Sequence, residues 1–459
     1  MTVQTFPRIL TPPKGSFFLF GPRGTGKSTW LRATFPRAHT VDLLDEALYQ
    51  SFLADAGRFA AELRALPAAG LVVVDEVQRL PALLNEVHRH MESRKLRFAL
   101  CGSSARKLKT GGTNLLAGRA VWRTMHPLLP EELGAAFDLE PVLRWGSLPV
   151  VWSAPDREDA LRAYAQLYLK QEIQAEALVR NLPGFARFLP VAALFHAQVM
   201  NVAGMSRDAG VARSTVQSYL SILEDTLLTF TLPAYEARLR VRERKHPKLY
   251  WLDPGLPRVM KQQLGPPTAE ERGHLFEGWV ASVLRAYRDY RRLFDDWFYW
   301  APGKESKVEV DFLLRRGKSF VALEAKASRQ FFDKGIRGLR AVAELPGVKR
   351  RRLPRRAPYA YRRRDRSPPA RRVPTAGRRG SALLKTSLDG SCPNRRTPAD
   401  HDHSTAPPAT RPSGRRWPRR CHPPGGASGA THRGTRRRSC GSSRCLALAP
   451  RSRPRERLE

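Results

Sequence analysis

At 459 residues, with 42% hydrophobic side chains, the chain has material for about two to four domains, which excludes a single small module. The formal charge of +38 suggests a nucleic-acid binder, but residues 349–459 alone carry 31 Lys+Arg against 6 Asp+Glu, which leaves +13 for residues 1–348. No apolar run approaches the roughly 20 residues of a membrane span, and MTVQTFPRILTPP lacks the charged start and long apolar stretch of a secretory signal, so a cytoplasmic chain without a membrane partner is expected.

In chain order, SFFLF (16–20), LVVV (71–74) and RFALC (97–101) are short apolar runs alternating with helical stretches such as 81–93. That alternation predicts a mostly parallel sheet with crossover helices over residues 1–150. Cys101 ends the third run and reads as a buried strand residue; Cys392, Cys421, Cys440 and Cys445 lack the paired short spacings of a zinc site.

Between the first run and the helical TWLRATF lies Gly21-Pro22-Arg23-Gly24-Thr25-Gly26-Lys27-Ser28, followed by Thr29. Glycines let the backbone turn close to phosphates, so that amide N–H groups at the start of the next helix face negative charge. Lys27 is then expected to reach the β- and γ-phosphates of ATP and the Ser28 hydroxyl to ligate Mg²⁺. LVVVDE delivers Asp75 and Glu76 at a strand's C-terminal end, where Asp75 suits the magnesium water shell and Glu76 the attacking water. Ser103 and Ser104 follow the third run and read either as γ-phosphate sensors or as a helix N-cap. Arg119 reads either as a charge-stabilising finger, supplied in cis or by a neighbouring subunit of a homo-oligomer, or as a surface arginine.

GPRGTGKS, VVVDEVQRLP, LCGSSARKL, NLLAGRAV and HPLLPEEL, in that order, resemble the prokaryotic AAA-type ATP-binding proteins whose ATPase domain precedes a C-terminal domain of unknown function. The resemblance continues through GFARFLPVAAL, STVQSYLSILEDTLL, KHPKLYWLDPG, HLFEGWV, VEVDFLL and LEAKAS, to about residue 345. It implies ATP binding, Walker roles for Lys27, Ser28, Asp75 and Glu76, and a sensor role for Ser103.

Residues 151–239 show helical periods with little strand signal. Within them MSRDAGVARSTVQSYLSILEDTLL reads as a short helix, a turn near Gly210 and a longer helix from Arg213, the pattern of a helix-turn-helix or winged-helix unit. Ser214, Thr215 and Gln217 fall at the exposed start of the second helix, and Val216, Leu220, Leu223 and Leu227 form its core stripe. Such a unit serves DNA or a protein partner.

Residues 240–348 read as a second α/β domain: an extended KLYWLD, the helix GHLFEGWVASVLRAYR, and strands in FYW, VEVDFLL and FVALEAKAS, the last two joined at Gly317. Strand alternation puts Glu309 and Asp311 on one face of their strand and Glu324 with Lys326 on one face of theirs, so an Asp, a Glu and a Lys converge if the two strands pair, with Glu277 from the helix beside them. The order Glu277, Asp311, Glu324-x-Lys326 resembles the restriction-endonuclease-like fold, which implies carboxylates around a second divalent metal and a lysine that activates water. The alternative is a charged network without chemistry. The segment from residue 349 has no Ile, Phe or Met and is expected to be a disordered basic tail, the product of an out-of-frame reading of a GC-rich gene or a nucleic-acid-binding arm.

The expectation as a whole is an α/β chain: an AAA-type P-loop NTPase with a parallel sheet, a helical/winged-helix segment, a restriction-endonuclease-like domain and a basic tail. Its function is ATP hydrolysis that switches a nucleic-acid- or partner-binding half. The alternatives are an ATP-gated metal-dependent nuclease and a switch that binds a protein partner without cleavage.

Overall fold

The structure is a computed structural model and describes residues 5–104, 116, 118–167, 173, 179, 181–236, 246–302, 308–327, 338 and 342. Expectations for the tail beyond residue 349 lie outside the described residues.

Five parallel strands open the chain: β1 (Ser16–Phe20), β2 (His39–Asp42), β3 (Leu71–Asp75), β4 (Arg97–Gly102) and β5 (Ala120–Thr124). Their spatial order is β2-β3-β4-β1-β5. Because side chains alternate across a strand, Phe18, Phe20, Val72, Val74, Phe98 and Leu100 fill one core while Phe17, Leu19, Val73, Ala99 and Cys101 fill the other. Covered faces on both sides explain why these strands are continuous apolar runs. Helix α1 (Lys27–Thr34) supplies Trp30 and Leu31 to the second core; α2 (Glu46–Ala54), α3 (Ala56–Ala65) and α4 (Leu83–Arg94) cover the first. Asp45 and Asp55 cap α2 and α3 by accepting from Leu48 N and Gly57 N at 3.1 and 2.7 Å.

The helices Pro149–Trp152, Arg157–Leu167, Leu182–Leu194, Val202–Ala209, Arg213–Asp225 and Gly255–Met260 enclose a third core. Gly210, at φ +62°, makes the left-handed turn between the pair Val202–Ala209 and Arg213–Asp225. Val216, Leu220 and Leu223 are buried as expected. Leu227 lies beyond the helix end, in a left-handed conformation, and packs instead against the core of the parallel sheet.

An antiparallel sheet of order β6-β8-β7 follows, from β6 (Gln198–Val199), β7 (Thr229–Leu232) and β8 (Lys248–Trp251). KLYWLD, expected in the C-terminal α/β domain, is thus hydrogen-bonded to strands of the middle segment. The reason lies in its alternation: Leu249 and Trp251 enter the helical core, whereas Tyr250 and Leu252 enter the C-terminal one. A strand with two buried faces serves both sides, and periodicity alone assigns it to neither.

Among the described residues, the C-terminal part contains the helix Ala269–Arg291 and the antiparallel sheet β11-β10-β9, built from β9 (Asp296–Trp300), β10 (Val310–Arg316) and β11 (Ser319–Leu323). Gly317, at φ +55°, turns the β10–β11 hairpin in the conformation that a two-residue connection requires. The two antiparallel sheets meet where Tyr299 N donates to Pro233 O at 3.0 Å and Tyr235 N to Tyr299 O at 2.7 Å.

The imidazole of His196 is enclosed between β8 and the helix Ala269–Arg291. Its Nδ1 accepts from Trp251 N at 3.1 Å, and a methyl group on Gly278 would collide with Nε2. Burial, aided by the nearby His274 and Lys261 charges, pulls its pKa from 6.5 down to about 3. Between these values the unfolded chain takes up a proton that the folded chain refuses, so stability is fully present above pH 6.5 and falls as the pH drops toward 3. In urea titrations across this range His196→Gln, which retains an acceptor for Trp251 N, is expected to lose that component of the acid slope; an unchanged slope would contradict the assignment.

Candidate functional site

The loop after β1 leads into α1 through two glycines at positive φ, Gly24 (+76°) and Gly26 (+84°). A side chain at Gly24 would meet Val150 Cγ1 at 2.5 Å, and one at Gly21 would meet Met125 O at 2.6 Å, so the loop is confined where it turns. Gly26 contributes no side-chain cap to α1, whose first N–H groups therefore face the loop. Lys27 is buried; its ammonium donates to Gly21 O at 2.7 Å and Pro22 O at 3.1 Å, and the Thr25 hydroxyl donates to Pro22 O at 2.8 Å. Arg23, Ser28 and Thr29 are partly exposed around this turn.

Strand order decides what faces the loop. β4 lies between β1 and β3, so Ser103, just past its end, stands between the loop and the pair Asp75-Glu76. Asp75 Oδ1 accepts from Glu76 N at 3.0 Å, and Glu76 adopts φ +54°, a left-handed conformation that costs a non-glycine residue about 1–2 kcal/mol. A buried amide holds the glutamate in place: Gln78 Nε2 donates to Glu76 Oε2 and, at 3.1 Å, to Ser103 Oγ, which itself lies 3.4 Å from Glu76 Oε2. Gln78 lies outside the expected site, although a glutamine three residues after the strand-ending aspartate was the signal available for it. Beneath the group, Cys101 is a buried strand residue whose thiol pKa is pushed well up by burial and then by the Asp75 charge.

Not every expected residue is here. Ser104 turns its hydroxyl to Asp225 O at 3.5 Å, at the end of the helix Arg213–Asp225. Arg119 precedes β5 at the opposite end of the sheet: Ala120 pairs with Ser16, while the loop follows Phe20. Its guanidinium donates to Glu92 on α4 at 2.5 Å, so the in-cis finger is corrected to a surface ion pair.

Arg8 was likewise absent from the expected site. Its side chain is 5% exposed and donates to Thr25 O in the loop at 2.9 Å, to His126 O, and to Glu132 Oε1 at 3.1 Å; the Glu132 side chain is fully buried. His126 in turn meets the helix Ala269–Arg291: its backbone N–H donates to Tyr290 OH at 2.9 Å, and its Nε2 lies 2.8 Å from Asp289 Oδ2. Burial lowers the His126 pKa, against the Asp289 carboxylate that favours its charged form. A lone arginine in an N-terminal arm carried no motif that could have announced this contact.

A second polar cluster lies in the C-terminal part and brings together Glu277, Asp311, Glu324 and Lys326. Asp311 Oδ2 accepts from Ala325 N at 2.7 Å, and Glu324 pairs with Lys326 at 2.6 Å. Burial, then the Glu277 charge, pushes the Asp311 pKa up against the pull of Lys248; burial also raises that of Glu324. Lys248 and Tyr250 from β8, neither anticipated, complete the cluster: Lys248 Nζ bonds Glu277 Oε1 at 2.8 Å and contacts Glu309, and Tyr250 OH donates to Glu277 Oε1 at 2.6 Å. Among the described residues no group of three or more His, Cys, Asp and Glu side chains is placed to hold a metal ion.

Comparison with known proteins agrees with the N-terminal geometry: residues 14–134 match the family described as "AAA domain". This part of the chain is thus similar to AAA domains, and sheet, loop and match together support an AAA-type, ATP-binding NTPase. Residues 136–265 and 272–368 match two domains of unknown function, DUF8612 and DUF4143. The chain is 27% identical over 304 residues to the uncharacterized proteins Rv2008c of Mycobacterium tuberculosis and Mb2031c of Mycobacterium bovis, an alignment covering 64% of this chain and 66% of each relative. A solved replication initiator DnaA bound to AMPPCP and single-stranded DNA aligns over 47% of this chain and 83% of its own at 12% identity, with a TM-score of 0.23, too low to bear on fold or function. Among the described residues no helix is long and apolar enough to cross a membrane.

Arg8→Ala is expected to destabilise the protein by about 3–5 kcal/mol, because it strands the buried Glu132 carboxylate without its counter-charge. Denaturant midpoints measure this, and Arg8→Ala combined with Glu132→Gln is expected to recover part of the loss.

Proposed function

We propose that the chain binds Mg²⁺–ATP in the loop of residues 21–29, hydrolyses it, and thereby switches a C-terminal half that binds nucleic acid or a protein partner. The observation that carries this reading is the Glu76–Gln78–Ser103 group, held opposite the loop at the C-terminal ends of β3 and β4. The glycine turns and uncapped start of α1 suit a triphosphate, with Gly21, Arg23, Gly24, Thr25, Gly26 and Thr29 around it and Lys27 as its cation. Ser28 and Asp75 would hold Mg²⁺, which supplies charge neutralisation of the phosphates. Glu76 is the residue for the attacking water, and Gln78 and Ser103 fix its carboxylate.

The switch reading is supported by Arg8, which bonds the loop carbonyl of Thr25 and the His126 carbonyl beside the helix Ala269–Arg291. A change in the loop therefore has a direct physical route to the C-terminal half. The partner-binding reading rests on the helix pair around Gly210 and on the sheet beside it, which together suit a winged-helix unit; Ser214 and Gln217 lie exposed at the second helix's start and Thr215 is partly exposed.

Lys27→Ala is expected to weaken ATP binding by at least about tenfold, or 1.4 kcal/mol, in equilibrium titration. Glu76→Gln is expected to bind normally and to turn over about a hundredfold or more slowly. Unchanged affinity and turnover in Lys27→Ala would overturn the reading. Gln78→Ala is expected to slow steady-state hydrolysis while leaving nucleotide affinity intact; parallel loss of both would show that it shapes the loop rather than the glutamate.

A further inference from the structure

We propose that Lys248 is the resident cation shared by Glu277, Glu309 and Asp311 and stands in the place a divalent metal ion would need among these carboxylates. Its Nζ lies 2.8 Å from Glu277 Oε1, in contact with Glu309, and 3.9 Å from Asp311 Oδ1. These three carboxylates come from the long helix and from the edge of β10, and each turns an oxygen toward the same ammonium. A divalent ion bridging the same oxygens would sit within contact distance of the ammonium, and the two positive charges would repel in a site with little water to screen them.

The lysine has no way out. Its side chain is 3% exposed, and it belongs to β8, the central strand of its sheet, paired with Val199 on one side and Leu232 on the other. Two-residue alternation points Lys248 to the same side as Tyr250, whose hydroxyl also bonds Glu277. The Tyr299 ring lies 5.5 Å from the ammonium and further encloses it. Strand register, rather than a flexible side chain's choice, therefore fixes the cation among the acids.

The consequence is a joint rather than a metal centre. One ammonium binds carboxylates from the helix Ala269–Arg291 and from the start of the β10–β11 hairpin to a strand of the middle sheet, so three segments distant in sequence share one counter-charge. The assignment is independent of what the N-terminal loop does with ATP.

The test is Mn²⁺ binding to the nucleotide-free full chain, followed by the electron paramagnetic resonance of free Mn²⁺, with folding checked by circular dichroism. Wild type and Asp311→Asn are expected to bind the same amount of Mn²⁺, since neither holds the ion in the cluster. Lys248→Met is expected to gain a binding site that the double substitution Lys248→Met, Asp311→Asn loses again. Mn²⁺ bound by wild type and lost in Asp311→Asn would overturn the proposal, as would a folded Lys248→Met chain that gains none. If Lys248→Met fails to fold, the comparison of wild type with Asp311→Asn decides alone.

Discussion

Two buried charges, Arg8 and Glu132, set the relation between the phosphate loop and the rest of the chain. Enclosing an ion pair costs several kcal/mol per ion in lost hydration, and the pair recovers this only if the remaining donors and lone pairs are also satisfied. Here Arg8 also donates to the carbonyls of Thr25 and His126, and Glu132 also accepts from Ile9 N at 2.9 Å and Leu129 N at 3.0 Å. Each of these bonds fixes a different segment, so the geometry of the pair requires the loop, the N-terminal arm and the turn after β5 to be in register together. A loop held this way moves only if the pair moves with it.

The same economy of one residue serving several segments recurs in β8. Leu249 and Trp251 belong to the helical core, Tyr250 and Leu252 to the C-terminal core, and Lys248 to the acidic cluster. The strand makes the middle segment and the C-terminal part mutually dependent for burial. Gly278, whose hydrogen allows His196 to lie against the helix Ala269–Arg291, tightens that dependence.

How much of this was legible follows from the range of each signal. The phosphate loop is eight consecutive residues, and the apolar runs that became β1, β3 and β4 are local, so the sequence displays them directly. The β10–β11 hairpin is equally local, pinned by Gly317. Gln78 lay within reach because it sits three residues from Asp75, but nothing in a strand-end pattern distinguishes a buried amide from a surface one. Arg8, Lys248 and the true position of Arg119 depend on strand order and on contacts between segments separated along the chain, from 27 residues for Arg119 and Glu92 to 124 for Arg8 and Glu132. A single sequence without packing information carries no trace of those.

Lysine in place of metal would also change what the C-terminal part can contribute to a switch. An ammonium at the centre of carboxylates is permanent, whereas a metal ion comes and goes with its concentration, so a joint closed by Lys248 does not respond to metal concentration. Any change reaching it must come through its strand or through the helix Ala269–Arg291. That helix offers Glu277 to the joint and, more than three turns later, Asp289 and Tyr290 to His126, next to Arg8. A ligand shifts a conformational equilibrium only as far as it binds the two states differently, so the effect of nucleotide on the joint is bounded by what the Thr25–Arg8–His126 bonds transmit to this one helix.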